Sequence, residues 1–450
     1  MNLSIEKCVI ENINKEFVSQ FSKNRQEPGW VLELRLRALK MFEELNWPTN
    51  KDEKWKRVPW DKINLEKMNF FSQSNGNATS VSDLTPEFRS YGKNESNMTS
   101  QASCYLDASQ GFVFDIPEIV TQREIHWISL SEAFIKKETL VKDAWEKAIA
   151  SATSNKLLLL NLCLADAGTC LIIPKGQALK TPFYTYIATG AQPGAHFILN
   201  FLFVEEAGEA HVWEEQIGNN DVTNEQFISS YTFIHLKENA KASCYFLEHW
   251  NSSTSHFQFH EVIQGAFSRY NEIAVSVGGK AFRNETNLQL GEKGAENKIL
   301  GVLFGDKDQY FENWITQNHT APKTTSDIQY RGALKGHSRS FFSGMVYINK
   351  DGQQSDAFQS SKALLLSKDA KADAIPNLEI LADDVKCSHG AAVGPVDDDM
   401  KFYLQTRGMS INAAEDLIVE GFFEPVIAEV PSLIVQERLR SFIEEKLKKS

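Results

Sequence analysis

Two side chains near the C-terminal end of the sequence have the types and the spacing for metal and sulfur chemistry. Cys387 and His389 stand at positions i and i+2 of the run Val385-Lys386-Cys387-Ser388-His389. On a β-strand, residues two apart project from the same face, so both side chains could reach one reactive centre. A soft thiolate beside an imidazole suits iron and sulfur chemistry. The pair alone fits equally well with one buried cysteine and one hydrogen-bonded histidine, so both interpretations stay open at this point.

Other reactive motifs are absent from the sequence. It has no Gly-x-x-x-x-Gly-Lys-Ser/Thr, Gly-x-Ser-x-Gly, His-Glu-x-x-His or Cys-x-x-Cys. A Walker-type nucleotide site is therefore excluded, and spacing alone indicates no stable zinc or cluster site. His256 and His260 have a metal-ligand spacing for a helix, but their segment is predicted as a strand. At about 3.3 Å per residue their rings would lie about 13 Å apart, so we interpret them as surface or packing histidines.

An acid-rich segment surrounds a predicted turn. Its members are Glu205, Glu206, Glu209, His211, Glu214 and Glu215. A solvated strand edge guarded by charge explains this segment better than a metal site does.

Short β-prone runs dominate residues 156–394, and we find no helical period between them. Examples are residues 183–187, 196–204, 229–234 and 341–348, each bounded by Gly, Asn, Asp or Lys. So many short strands predict a very large all-β unit. Two tandem sandwiches or one parallel β-helix would satisfy the pattern, and periodicity does not separate them.

Helical patterns flank this β region. Residues 30–42 and 131–151 carry apolar positions at helical spacing, whereas residues 72–100 are rich in Ser, Asn, Thr and Gly and are predicted as a loop. Residues 1–153 are therefore predicted as a mostly helical domain, residues 154–400 as the β core and residues 401–450 as a C-terminal helical domain.

The C-terminal domain is predicted to contain two helices. Asn412 and Glu415 have capping-box spacing at the start of the first, and Gly421 and Pro425 are predicted to end it. Pro431 suits the first turn of the second helix.

Composition narrows the class of protein. The 450 residues are 42% hydrophobic, enough for a folded core, and the formal net charge of −12 without a basic stripe argues against nucleic-acid binding. The apolar run at residues 157–164 is far shorter than the roughly 20 residues that span a bilayer. Six irregularly spaced cysteines and a polar N-terminus favour a reducing cytoplasm.

A long ordered pattern occurs in the C-terminal half, at residues 355–359, 364–367, 376–394, 402–408 and 421–423, and residues 53–56 add a weaker match. This pattern closely resembles the SufB/SufD family of iron–sulfur cluster assembly proteins. SufB normally has Val-Glu-His-Glu where Lys386-Cys387-Ser388-His389 stands, which favours the SufD branch. Ala392, where threonine is usual, and Asp351-Gly352 depart from the family pattern without removing a proposed functional group.

The resemblance implies a mainly β fold, namely a right-handed parallel β-helix flanked by helical N- and C-terminal domains. It also implies a complex with SufB, through the β core, and with the ATPase SufC, through the C-terminal helices. His389 and Cys387 match residues at the SufB–SufD interface, where a nascent cluster forms, and His389 would be a transient iron ligand. The positions that match the SufC-docking part are Arg407, Gly408, Ile418, Gly421 and Phe422.

The resulting hypothesis is a non-enzymatic cytoplasmic scaffold that holds no cofactor stably when alone and carries a transient iron–sulfur cluster in the complex. The sequence leaves open whether the chain forms a homodimer in isolation, whereas nucleic-acid and membrane partners are not expected. One alternative is a SufB-like paralogue that itself carries the nascent cluster. Another is a β-helical carbohydrate-active enzyme, which would need paired carboxylates on one face. Asp383 and Asp384 are adjacent and would point to opposite faces of a strand.

Overall fold

A computed structural model provides the structure of the chain. It describes residues 7–60, 63, 65, 68–71, 80–84, 88, 102–107, 111–179, 181–189, 194–218, 225–430 and 433–448. The predicted loop at residues 72–100 lies outside these ranges except for residues 80–84 and 88, and Pro431 lies outside them too.

The described strands form two long sheets. The first sheet contains β1 Lys7–Val9, β2 Asn69–Phe71, β5 His126–Ser129, β6 Thr169–Ile173, β8 Gly194–Val204, β10 Gln226–Leu236, β12 Thr254–Gln264, β14 Ala281–Leu290, β16 Tyr310–His319, β18 Arg339–Ile348 and β20 Lys371–Ile380. The second contains β3 Ser103–Asp107, β4 Gly111–Asp115, β7 Phe183–Ala188, β9 Glu209–Ile217, β11 Lys241–His249, β13 Arg269–Ser276, β15 Glu296–Gly305, β17 Thr325–Leu334, β19 Asp356–Leu365 and β21 Lys386–Pro395.

From β8 to β21 the chain alternates between the two sheets, and each strand pairs in parallel with the strand two further along. Each pair of strands completes one coil of a solenoid, which has about seven turns. This confirms the predicted parallel β-helix with helical flanks and excludes the tandem sandwiches, whose neighbouring strands are antiparallel.

The described helices lie on either side of this solenoid in sequence. They are α1 Lys15–Asn24, α2 Gly29–Glu44, α3 Glu118–Gln122, α4 Leu130–Lys136, α5 Glu138–Ser151, α6 Lys156–Leu164, α7 Asp398–Thr406, α8 Ile411–Ile427 and α9 Leu433–Lys448. Two short 3-10 helices cover Ile10–Asn12 and Val81–Asp83. The helices predicted at residues 30–42 and 131–151 are confirmed, the second as the pair α4 and α5. The domain boundaries at residues 153 and 400 stay predictions.

The turns that lead from the first sheet to the second stack by a repeated backbone hydrogen bond. Asn239 has a φ of 59° and donates its N–H to the Ala266 carbonyl of the next coil at 2.8 Å, and Lys323 (φ 61°) donates to the Gln353 carbonyl at 2.9 Å. A left-handed conformation is unfavourable for an L-residue, so this bond offsets a local cost in each turn. The turns therefore align successive coils in addition to the strand ladders.

Three apolar layers hold the molecule together. Residues of both sheets, such as Phe246 and Val262, meet in the solenoid lumen. The N-terminal helices cover the outer face of the first sheet, and α8 and α9 cover the outer face of the second, where Phe423 is fully buried. The helices are thus integral parts of the folded core, and each sheet buries both of its faces along much of its length.

Residues 156–164, predicted as part of the β region, form the helix α6 instead. Every residue of this helix is buried, from Lys156 to Leu164. A helix that is surrounded by protein is apolar on all sides, so the 3.6-residue period that would identify it is missing. The N-terminal region also contributes five strands, β1–β5, to a part predicted as mostly helical.

The ends of α8 differ from the prediction. Ser410 is the N-cap, and its hydroxyl accepts a hydrogen bond from the Ala413 N–H at 3.2 Å, whereas Asn412 lies inside the helix. The helix continues through Gly421 and Pro425 to Ile427. Tertiary packing overrides the weak helix propensity of glycine and proline here, because this last turn is buried against the second sheet.

The buried His256 predicts acid-sensitive stability. Its Nδ1 accepts a hydrogen bond from Trp250 Nε1 at 3.2 Å and its Nε2 lies 2.8 Å from the Ser230 hydroxyl, so the ring is neutral, and burial lowers its pKa from 6.5 to about 3. Because the unfolded chain takes up the proton first, His256 should lower the free energy of unfolding by about 1.4 kcal/mol per pH unit below pH 6.5. In denaturant titrations, the loss of stability between pH 6.5 and pH 5 should be about 2 kcal/mol larger for wild type than for His256→Gln. The exposed His337→Gln is the matched control, and equal slopes for wild type and His256→Gln would contradict the assignment.

Candidate functional site

The two ends of the solenoid differ. At the N-terminal end, β2 and β6 pair with β8, and β3 and β4 extend the second sheet beyond β7. At the C-terminal end, β20 pairs only with β18 and β21 only with β19 among the strands of the described residues. The last coil therefore presents two free strand edges and an uncovered lumen, which we call the open end.

Cys387 and His389 lie on β21 at this open end. Cys387 pairs in register with Ala357 and His389 with Gln359, and both partners on β19 are buried in the lumen. Paired residues of a parallel ladder project to the same side, so Cys387 and His389 share the face that continues the lumen. The predicted strand is confirmed, and the roles of the two residues remain predictions.

The two side chains have different environments. His389 is exposed, whereas Cys387 is half-buried. Burial raises the pKa of the Cys387 thiol, the carboxylate of Asp356 raises it further, and a hydrogen bond with the Ala357 backbone partly offsets both effects. The thiol is therefore mainly protonated at neutral pH, and it becomes a strong sulfur ligand only where an acceptor or a metal removes the proton.

Large apolar side chains are exposed around the open end. They are Phe358, Ile375, Ile380, Leu381 and Val393. Exposed apolar side chains beside free strand edges are typical of a surface that binds another protein.

The two adjacent aspartates lie in the bend between β20 and β21, not on a strand as assumed for the carbohydrate-active alternative. Asp384 donates its backbone N–H to Gln353 Oε1 at 3.0 Å, and its carbonyl accepts the Gln354 N–H at 2.5 Å. Both contacts continue the turn stacking of the preceding coil. Asp383 and Asp384 thus lie in the last of the stacked turns.

The acid-rich segment is only partly a solvated edge. Glu205 pairs with Lys237 at 2.6 Å near the surface, but Glu214 and Glu215 are buried. Glu215 accepts a hydrogen bond from Arg438 of α9 at 2.7 Å, and burial raises the pKa of Glu214 inside the lumen. The interpretation as an exposed edge is wrong for these last two residues, because strand alternation places one in the lumen and the other under a helix.

The two predicted packing histidines are buried. His256 bonds Ser230 and Trp250 as described above, and His260 lies 3.4 Å from Glu272. No group of three or more His, Cys, Asp or Glu side chains suited to holding a metal ion occurs among the described residues.

The five residues matched to SufC docking separate into two groups. Arg407 and Gly408 are exposed at the end of α7, and Gly421 is exposed on α8. Phe422 is half-buried, with the Arg331 guanidinium 5.2 Å from its ring centroid and donating to its carbonyl, and Ile418 is also half-buried. Phe422 therefore also anchors α8 to the solenoid, which spacing alone did not indicate.

Sequence reasoning missed an exposed apolar surface on α7 and the start of α8. Its members are Met400, Phe402, Tyr403, Ile411 and Leu417. No residue of α7 is buried. The signal in the sequence is the group of apolar residues in α7, namely Met400, Phe402 and Tyr403. Such residues usually form the buried face of an amphipathic helix, so the sequence does not show that they are exposed.

The motif at residues 53–56 lies across the outer face of the first sheet. Lys54 pairs with Glu285 at 2.6 Å, and the Arg283 guanidinium lies 4.1 Å from the centroid of a Trp55 ring. The motif thus fastens the N-terminal region to β14, an inner strand of the first sheet. None of the described helices combines the length and apolar character needed to cross a bilayer.

Comparison with known proteins identifies the family. Residues 186–422 match the family model described as SUF system FeS cluster assembly, SufBD core domain. The chain is 27% identical to the iron–sulfur cluster assembly protein SufD of Bacillus subtilis, covering 97% of this chain and 98% of that one. It is 23% identical to SufB of the same organism, covering 93% and 90%. A SufBD family protein of Mycobacterium leprae is 28% identical over 63% of this chain and 72% of its own length. The chain belongs to the SufB/SufD family of iron–sulfur cluster assembly proteins.

Proposed function

We propose that the chain is a non-catalytic, cytoplasmic scaffold subunit that pairs with SufB through the open end of its solenoid and with the ATPase SufC through its C-terminal helices. A nascent iron–sulfur cluster then forms between this chain and SufB as the cargo of the complex. The observation that carries the proposal is the coincidence of His389 and Cys387 with two free strand edges. In the absence of SufB, the same edges would pair two copies of this chain.

The free edges of β20 and β21 would provide binding energy for SufB and fix its orientation. Each of β20 and β21 is ten residues long and leaves a row of backbone N–H and carbonyl groups available for another strand. A strand added to such an edge gains main-chain hydrogen bonds, while the exposed Ile375, Leu381 and Val393 bury apolar area. A partner with a similar solenoid would extend both sheets at once.

The chemistry of the site follows from its two side chains. A neutral imidazole at His389 can bind iron or accept a proton during sulfur transfer. Cys387 has a raised pKa, so a cluster ligated by its thiolate should be favoured at higher pH, where the proton is lost more easily. Neither side chain alone completes a cluster site, which supports the view that the other ligands come from SufB.

SufC docking is assigned to the exposed surface of α7 and α8. Tyr403 stands beside Arg407, whose guanidinium donates to the Tyr403 hydroxyl at 3.2 Å, and Phe402 is exposed on the same helix. Aromatic residues and arginine are the usual anchors of protein interfaces. Phe423 packs α8 against the second sheet. A movement of SufC bound at α7 would therefore be transmitted through α8 to the solenoid.

A charge placed on β21 should prevent pairing with SufB. Val393 is 43% exposed, and Val393→Lys would bury an unpaired ammonium group in the interface. We expect at least about a tenfold weaker association, measured by analytical size exclusion and light scattering of the co-expressed subunits. Ile135→Lys, at an apolar residue of α4 that is 72% exposed, is the matched control. Unchanged association of Val393→Lys would count against pairing through the open end.

A further inference from the structure

Gln359 lies in the lumen directly below His389, one coil away from the open end. It is fully buried, and its Nε2 donates to the Asn377 carbonyl at 2.9 Å. Its Oε1 is also buried but has no hydrogen-bond partner. A buried acceptor without a partner is destabilising, so its presence next to His389 calls for an explanation.

The residues around Gln359 leave space for its side-chain amide. Gly344 of β18 lies opposite, and a Cβ atom on it would come within 2.0 Å of Gln359 Oε1. The φ of Gly344 is outside the left-handed region, so glycine is needed here for space and not for backbone conformation. The site thus combines a long amide on one sheet with the smallest residue on the other.

The amide also lies at the level of His389 in both sheets. Gln359 pairs with His389 in the second sheet, and Gly344 pairs with Pro376 in the first. Asn377, whose carbonyl accepts a hydrogen bond from Gln359, follows Pro376 on β20 of the first sheet. The side chain of Gln359 therefore bridges the two sheets and forms the floor of the open end.

We infer that Gln359 is a positioning residue for His389, and that its Oε1 accepts a ring N–H of His389 when a partner covers the open end. The inference rests on the proposed function. Neighbouring strands lie about 4.8 Å apart, so a rotation of the His389 side chain brings its ring within reach of the amide. A neutral imidazole has one N–H and one lone pair; holding the N–H at Gln359 fixes the tautomer and leaves the other nitrogen directed toward SufB.

Gln359→Met tests the inference, because methionine has nearly the same length but neither donor nor acceptor. The variant is assembled with SufB and SufC and compared with wild type for complex formation, cluster yield and the ¹⁵N chemical shifts of the His389 ring in a histidine-labelled chain. We expect unchanged association, a cluster yield lowered on the order of tenfold, and a change from one His389 tautomer to a mixture. Spectra of His389→Ala assign the ring signals.

Substitutions at Gly344 provide the matched controls. Gly344→Ala should displace the amide, lower the melting temperature and reproduce the loss of yield. Gly344→Ala combined with Gln359→Ala relieves the clash, so it should recover part of the melting temperature without restoring yield.

The possible results distinguish the positioning role of Gln359 from the proposed role of His389. A wild-type tautomer and full yield in Gln359→Met would overturn the inference, as would a loss of yield that merely follows a loss of association. If His389→Ala leaves yield unchanged while Gln359→Met still alters the tautomer, the positioning role stands and the proposed role of His389 fails.

Discussion

Replacing His389 by alanine is expected to lower the cluster yield of the complex with SufB and SufC by at least about tenfold. The ring is exposed on the last strand of the solenoid, so its removal creates no cavity and breaks no hydrogen bond of the isolated chain. Melting temperature and subunit association should therefore stay close to wild type. The measurement is the iron and acid-labile sulfide content of the reconstituted complex, together with its visible absorption.

The cluster yield of Cys387→Ser provides a comparison for His389→Ala. Cys387→Ser should reduce yield less than His389→Ala, because a sulfur ligand from SufB could still act and the thiol itself is mainly protonated. If His389→Ala lowers melting temperature or association in proportion to yield, His389 has a structural role and its assignment to the site is wrong.

The second large effect is expected at α7, where Phe402→Asp should nearly abolish SufC binding. Phe402 is 67% exposed although it is aromatic, and truncation of such an anchor commonly costs about 2 kcal/mol or more, roughly a thirtyfold loss of affinity. A carboxylate adds a desolvation cost in the interface. The affinity for SufC is measured by calorimetry on the purified chain.

Leu433→Asp is the control for Phe402→Asp, since Leu433 is 72% exposed on α9 and outside the α7 surface. A single substitution is a more specific test of SufC docking than deletion of residues 410–450, because the deletion would also expose the apolar outer face of the second sheet to solvent. Unchanged SufC affinity in Phe402→Asp, or an equal loss in Leu433→Asp, would show that SufC docks elsewhere.

Local patterns predicted many elements of this fold but not its topology. The helix α2 was predictable because its apolar positions recur at 3.6-residue spacing on a half-buried face. The β-helix was not separable from sandwiches because its coils differ in length. β8 and β10 begin 32 residues apart, at 194 and 226, whereas β12 and β14 begin 27 residues apart, at 254 and 281. The parallel architecture was therefore predicted from family resemblance and not from a repeat.

Burial explains what sequence reasoning missed around the site. The i, i+2 spacing correctly placed Cys387 and His389 on one strand face, because strand geometry is local. The relation of His389 to Gln359 depends on residues 30 positions apart being brought into register by the coil length, which no local pattern shows. Similarly, Glu214 looks like a surface carboxylate until the two sheets enclose it in the lumen.

Pairing of β20 and β21 with SufB is best tested by hydrogen–deuterium exchange, because the backbone amides of the free edges report strand pairing themselves. The chain in complex with SufB is compared with the chain alone at a concentration low enough to keep it monomeric. Pairing through the open end should slow exchange in β20, Lys371–Ile380, and β21, Lys386–Pro395, with no change in the inner strands β9 and β11. The Val393→Lys variant should lose this protection. Unchanged exchange in β20 and β21 on a confirmed SufB complex, with protection appearing elsewhere, would contradict pairing through the open end.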